Sequence, residues 1–116
     1  MAINEKHCTP CEGGTPPLKE QDEDKLMNEI EEWELNREGT HTLQKKFTFD
    51  NFKEAMEFVK KVADLANEEN HHPDMHISYN KVIIELTTHK IDGLSENDFI
   101  LASKIDNLQT QPTGAS

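Results

Sequence analysis

Hydrophobic positions along this chain alternate between helical and strand-like rhythms. From Glu20 to Glu31, Leu26, Met27 and Ile30 fall at helical spacing behind acidic residues that suit a helix N-terminus, which predicts a first helix. Trp33, Leu35 and the turn-like stretch N-R-E-G-T then lead to Leu43, Phe47 and Phe49 on one parity, which predicts a hairpin with Gly39 near its tip. Asp50 is the expected N-cap of the longest helix, where Phe52, Ala55, Met56, Val59, Val62, Ala63 and Ala66 recur at helical spacing. Pro73 drives His72 into an extended conformation, so this helix should stop near Asn70.

Two further strands are expected around Asp74 to Tyr79 and Val82 to Thr88, joined by a turn at Asn80 and Lys81 because Asn tolerates positive φ. That turn pairs Tyr79 with Val82, Ile77 with Ile84 and Met75 with Leu86 on an apolar core face. The outer face would then carry Ser78 with Ile83, His76 with Glu85, Asp74 with Thr87 and His72 with His89. A last helix follows Gly93: Ser95 fits its N-cap and Asp98 its third position, a capping box, with Leu94 and Phe99 as a hydrophobic staple. Ala102, Ile105 and Leu108 continue the buried face. Helix, hairpin, helix, hairpin, helix predicts an α+β two-layer domain, a four-stranded, mostly antiparallel sheet with helices on one face. It should occupy residues 18–109, between a flexible arm at 1–17 and a frayed tail at 110–116.

Length and charge narrow the function. At 116 residues with 34% apolar content, the chain has material for one domain and one core. A net charge of -11 opposes the Lys and Arg contacts that a phosphate backbone requires, so direct nucleic-acid binding is not expected. No apolar run approaches the roughly 18 residues of a membrane span, and no basic-then-apolar leader is present, so a cytoplasmic protein is expected. Cys8 and Cys11 form a C-x-x-C among Gly, Pro and Thr. Redox or half-zinc chemistry would need a helix or further ligands there, and an ordinary reduced pair on the arm is the simpler reading.

The candidate chemistry lies in E-N-H-H-P-D-M-H-I-S-Y-N-K-V-I-I-E-L-T-T-H, residues 69–89, which hold four of the six histidines. His71 leaves a helix, while His72 and His89 would be cross-strand neighbours. Three imidazoles suit proton transfer, since histidine is both acid and base near neutral pH. A reaction that protonates a leaving hydroxyl and removes a proton elsewhere, a dehydration, fits them. Zinc competes, but H-H-P lacks the helical i, i+4 ligand spacing, and adjacent residues on an extended chain point apart. The plainer alternative is helix capping by His71 and His72 with a solvated His89. His76 is expected to pair with Glu85 at the surface, and capping alone would account for Asp98.

The ordered set H-H-P, Y-N-K-V-I-I-E-L-T-T-H and G-L-S-E-N-D-F-I-L-A-S-K-I-D resembles the pterin-4a-carbinolamine dehydratases, also called 4a-hydroxytetrahydrobiopterin dehydratases. The resemblance runs from about Leu18 to Leu108, and the arm C-T-P-C-E-G-G-T-P-P-L looks like an extension found in some members. It implies an antiparallel sheet with helices on one side, a homodimer or homotetramer, and a hydro-lyase without metal or redox cofactor. The implied reaction removes water from a 4a-hydroxytetrahydropterin to give quinonoid dihydropterin in tetrahydrobiopterin recycling. By motif, His71, His72 and His89 are the implied catalytic residues, with His71 and His89 as acid and base and His72 orienting the pterin. Asp98, Asn70 and Met75 are the implied supporting positions. The chain departs from the family pattern at Met75, where an aromatic is common, at Asn70, where an acid often stands, and at Asn67, where Glu can occur. Two relatives on this fold act mainly by binding proteins, one as a dimerisation cofactor for a homeodomain transcription factor and one as a Rubisco assembly factor. A binding role of that kind is the alternative reading.

Overall fold

The computed structural model describes residues 16–109. The expectations for Cys8, Cys11, most of the arm and the tail fall outside the described residues. Three helices, α1 (Glu20–Met27), α2 (Phe52–Glu69) and α3 (Glu96–Gln109), accompany four strands, β1 (Glu34–Asn36), β2 (Thr42–Thr48), β3 (Asp74–Ser78) and β4 (Lys81–Leu86). The strands form one antiparallel sheet in the order β1-β2-β4-β3, the α+β architecture expected.

The core lies on one side of this sheet. Leu43, Phe47, Val82, Ile84 and Leu86 point into it and meet Ala55, Phe58, Val62, Phe99, Ala102 and Ile105 from the helices. The period-2 strands and 3.6-period helices thus bury complementary stripes. Phe47 lies at the centre, with its ring 4.8 Å from that of Phe58 and edge-on to Trp33 at 6.3 Å. Trp33 satisfies its indole N–H on Asp106 of α3 at 2.9 Å.

Several local expectations are corrected. Helix α1 stops at Met27 instead of Glu31, and Glu32 takes a left-handed φ of 62° in the connection to β1. Asn51, one residue beyond Asp50, caps α2 by accepting from the Glu54 N–H at 2.9 Å. The buried stripe of α2 is Ala55, Phe58, Val62, Ala66 and Glu69, whereas Phe52 and Met56 reach solvent. At the start of the domain, Pro17 and Leu18 lie against the segment that leads into α3. A Cβ added to Gly93 would sit 2.6 Å from Cβ of Pro17, and the Leu18 N–H donates to the Leu94 carbonyl at 2.9 Å.

The second hairpin turns at Tyr79 and Asn80 instead of Asn80 and Lys81, so Met75 faces Ile84, Ile77 faces Val82 and His76 faces Ile83. Asn80 is held by two contacts to Phe49 at the end of β2: its carbonyl accepts from the Phe49 N–H, and its side-chain amide donates to the Phe49 carbonyl, each at 2.8 Å. Tyr79 consequently takes the positive φ, 53°. Shifting the turn by one residue moves each partner by two, so the parity of the faces survives while every pair changes. The expected partners His76 and Glu85 are not opposed, since Asp74 faces Glu85. Because β3 is an edge strand, Ile77 and Tyr79 lie exposed and do not enter the core.

Candidate active site

Helix α2 delivers His71 by ending on a left-handed residue. Asn70 adopts φ 55° and ψ 38°, and its N–H and that of His71 both return to the Ala66 carbonyl. Asn and Gly are the residues that accept this conformation at least cost, and the reversal sends the chain back along the sheet edge. His71 is then mostly buried while His72 is exposed.

The two histidines meet different partners. Nε2 of His71 lies 2.6 Å from Oδ1 of Asp98, a fully buried carboxylate in the first turn of α3. The other oxygen of Asp98 accepts from the Ser95 N–H at 2.9 Å and from the Thr88 hydroxyl at 2.8 Å. A carboxylate facing three donors is an acceptor throughout, so His71 carries its proton on Nε2 and leaves Nδ1 as the free ring nitrogen when neutral. Nε2 of His72 instead lies 3.0 Å from Oδ1 of Asn67, a neutral amide one helical turn back.

Asp98 therefore combines the two roles expected of it, capping its helix and holding a site histidine. One oxygen forms the side-chain arm of the capping box at Ser95, and the other holds His71. The Asp98 N–H returns to the Ser95 carbonyl at 3.1 Å, and the Ser95 hydroxyl meets the Thr88 hydroxyl at 2.8 Å.

His89 does not extend β4 and does not pair with His72. β4 ends at Leu86, Thr88 bridges to Gly93, and His89 opens a 3-10 turn, His89–Ile91. β3 likewise begins only at Asp74, beyond His72. What ties the positions together is the run of side chains from His71 through Asp98 to Thr88, the neighbour of His89. His71, His72 and His89 thus occupy one end of the sheet, where β3 starts and β4 finishes. Among the described residues no three His, Cys, Asp or Glu side chains are grouped to hold a metal ion. Met75 lies on the core side of β3, partly buried against the core, and Asn70 contributes chiefly its backbone.

Sequence reasoning passed over the Thr88 hydroxyl and gave Ser95 only a capping role. Their signal was present in T-T-H and G-L-S, but only a fold that brings the end of β4 against the first turn of α3 unites them. It also missed a second buried carboxylate. Glu23 of α1 accepts from Nε of Arg37 at 3.0 Å and contacts Nδ1 of His41 at 2.8 Å, fastening α1 to the first hairpin. The Arg37 guanidinium, bonded to Asp24 and then to Glu23, is pushed above its already high range and stays cationic. No described helix is long and apolar enough to cross a membrane.

Comparison with known proteins gives this geometry a lineage. A family model described as pterin 4 alpha carbinolamine dehydratase matches residues 16–108. A Rickettsia bellii protein provisionally named pterin-4-alpha-carbinolamine dehydratase is 51% identical over 109 residues, covering 93% of this chain and 95% of its own. One of the same name from Rubrobacter xylanophilus is 47% identical over 106 residues, covering 91% and 97%. The crystal structure of a transcriptional coactivator/pterin dehydratase from Brucella melitensis superposes with TM-score 0.74 at 26% identity, over 79% of this chain and 97% of that one. A pterin dehydratase-like protein identified as a RuBisCO assembly factor in the alpha-carboxysome shares the fold, with TM-score 0.59 at 22% identity over 68% and 90%. With a family model spanning the folded domain and relatives about half identical over nearly their full lengths, the chain belongs to the pterin-4-alpha-carbinolamine dehydratase family.

Proposed function

We propose that this protein dehydrates a 4a-hydroxytetrahydropterin to the quinonoid dihydropterin, with His71 and His89 moving the protons. The observation that carries the reading is the 2.6 Å contact between His71 and the fully buried Asp98. A buried charge is costly to maintain, and a surface that only binds another protein has no need of one aimed at a histidine. In the reaction the C4a–O bond breaks with its electron pair as an imidazolium protonates the departing oxygen. The N5 lone pair closes the C4a–N5 double bond, and a ring N–H then gives its proton to a neutral imidazole. Water leaves and the proton count of the site is restored. Asp98 suits His71 to the base role, because it fixes the ring with Nδ1 free and stabilises the imidazolium that forms. His89, exposed on its turn, serves as the acid, and His72 orients the pterin. No metal takes part.

Self-association accompanies this reading. Among the described residues the outer edge of β3 pairs with no other strand, and Ile77 on it, Tyr79 in the turn after it, and Phe52 and Met56 on α2 are exposed. A dimer or tetramer in sedimentation is expected.

The deciding assay follows dehydration of a synthetic 4a-hydroxytetrahydropterin. Wild type should accelerate it, and His71→Ala and His89→Ala should each lose about 10²–10⁴-fold. A wild-type rate equal to buffer, or two variants equal to wild type, would sink the proposal. Chelation should leave the rate unchanged, and a loss restored by added zinc would overturn the metal-free mechanism.

A further inference from the structure

Thr88 is buried and stands between the two halves of the site. Its backbone bonds Gly93 in both directions, N–H to carbonyl at 2.9 Å and carbonyl from N–H at 3.4 Å, and its carbonyl also accepts from the Ile91 N–H at 3.2 Å. These contacts shape the turn that carries His89. Its side chain does something separate, gripping the Asp98 oxygen opposite the one that holds His71.

The hydroxyl directions follow from chemistry. An ionised carboxylate only accepts, so the single Thr88 proton goes to Asp98. The Ser95 hydroxyl, 2.8 Å away, must then donate to Thr88. A directed run results, from Ser95 through Thr88 and Asp98 to His71. Without the Thr88 hydroxyl, this oxygen of Asp98 keeps the Ser95 N–H alone, and the broad terminal torsion of aspartate would let the carboxylate rotate away from His71.

We propose that Thr88 is a positioning residue for the dehydration, setting His71 through Asp98 and, by its place in the chain, fixing the spacing between His71 and the turn of His89. The inference rests on the dehydratase reading above. It predicts that the Thr88 side chain acts on turnover and not on pterin affinity.

The test compares Thr88→Val, which keeps the shape and deletes the hydroxyl, with Thr88→Ser, which restores it. The readouts are kcat, KM and the downfield proton resonance of the His71 Nε2–H. Thr88→Val should lower kcat by about tenfold or more, the loss expected from one hydrogen bond to a charged group, with KM within about twofold. The His71 resonance should move, and Thr88→Ser should return both kcat and the resonance towards wild type. A folded Thr88→Val with wild-type kcat, or with kcat and KM altered but the resonance unmoved, would reduce Thr88 to a structural residue and overturn the inference. Should Thr88→Val not fold, Ser95→Ala carries the test, since it keeps the Thr88 to Asp98 bond and removes only the donor that steadies the Thr88 hydroxyl. A smaller fall in kcat with the same direction of resonance change is expected, and no change in either overturns the inference. The resonance also separates this inference from the reading beneath it. A wild type without dehydratase activity ends that reading, whereas a resonance blind to the substitutions ends the role of Thr88 whether or not the wild type is active.

Discussion

Replacing Asp98 by asparagine separates the chemistry of the site from its stability. The substituted side chain keeps its shape in a fully buried position bounded by the His71 ring, the Thr88 hydroxyl and the Ser95 N–H. Of these, the Ser95 N–H is a backbone donor that cannot change role, so the amide must turn its oxygen towards Ser95 and Thr88. Its NH₂ then faces Nε2 of His71, which has to accept, and the ring proton moves to Nδ1. The lone pair that the proposed base needs is thereby lost. A neutral amide in place of the carboxylate behind a catalytic histidine costs about 10⁴-fold in kcat where measured in a serine protease, and a loss of about 10³–10⁴ is expected here. Stability should respond far less. Charge-assisted bonds worth about 1.5–3 kcal/mol become neutral ones worth about 0.5–1.5 kcal/mol, but the penalty of a buried charge disappears as well. A net change of about 1 kcal/mol, or roughly 4–8 °C in Tm, is the expected result. Pterin dehydration, thermal unfolding and the nitrogen resonances of the His71 ring measure the three consequences. An Asp98→Asn variant turning over within tenfold of wild type, or one in which His71 keeps its proton on Nε2, would refute the assignment of His71 as a base held by Asp98.

Three further substitutions test how the fold supports this arrangement. Gly93→Ala places a methyl 2.6 Å from Pro17 and should cost about 1–3 kcal/mol in chemical denaturation; an unchanged midpoint would mean that Pro17 is not docked there. Glu23→Ala takes the carboxylate from His41 and one of two carboxylates from Arg37, which keeps Asp24; with these side chains 26% and 33% exposed, the loss should be about 2 kcal/mol, below the 3–5 kcal/mol or so of a sealed pair. A loss that vanished only in high salt would show the cluster to be a surface attraction. Asn70→Ala should destabilise by about 1 kcal/mol because alanine resists φ 55°, while Asn70→Gly stays within about 0.5 kcal/mol; equal effects would refute a backbone role.

Patterning fixed the layers of this fold because burial periodicity survives small errors. The order of elements, the strand parities and the break of α2 at Asn70 all follow from which positions are apolar and where a proline stands. Pairing was less legible, because the hairpin turn is chosen by Asn80 bonding Phe49, a residue 31 positions away in sequence. No local turn preference contains that contact. The exposure of Ile77 likewise depends on β3 being an edge, a property of strand order and not of any one strand. The site divides in the same way: the histidines could be picked out by type and motif, but the hydroxyl of Thr88 becomes meaningful only when β4 and α3 meet.

That meeting also explains why adjacent histidines can hold different offices. Asn70 reverses the chain and Pro73 favours an extended conformation at His72, so His71 and His72 leave the backbone towards different surroundings. One reaches a buried anion that accepts from it, the other an exposed amide that can either accept or donate. The first environment dictates a single protonated nitrogen; the second permits either tautomer at little cost. In the proposed reaction the acceptor must offer the same lone pair at every turnover, and the contact with Asp98 holds the His71 ring for that. The role proposed for His72, orienting the pterin, needs only a ring that can adapt its hydrogen bond, which the Asn67 amide allows. Asn67→Asp should therefore alter His72 by giving it a carboxylate of its own, binding its Nε2 proton as Asp98 binds that of His71. The expected result is a change in KM larger than the change in kcat, with the His71 nitrogen resonances unmoved. A collapse of kcat with KM intact would reverse the offices assigned to the two histidines.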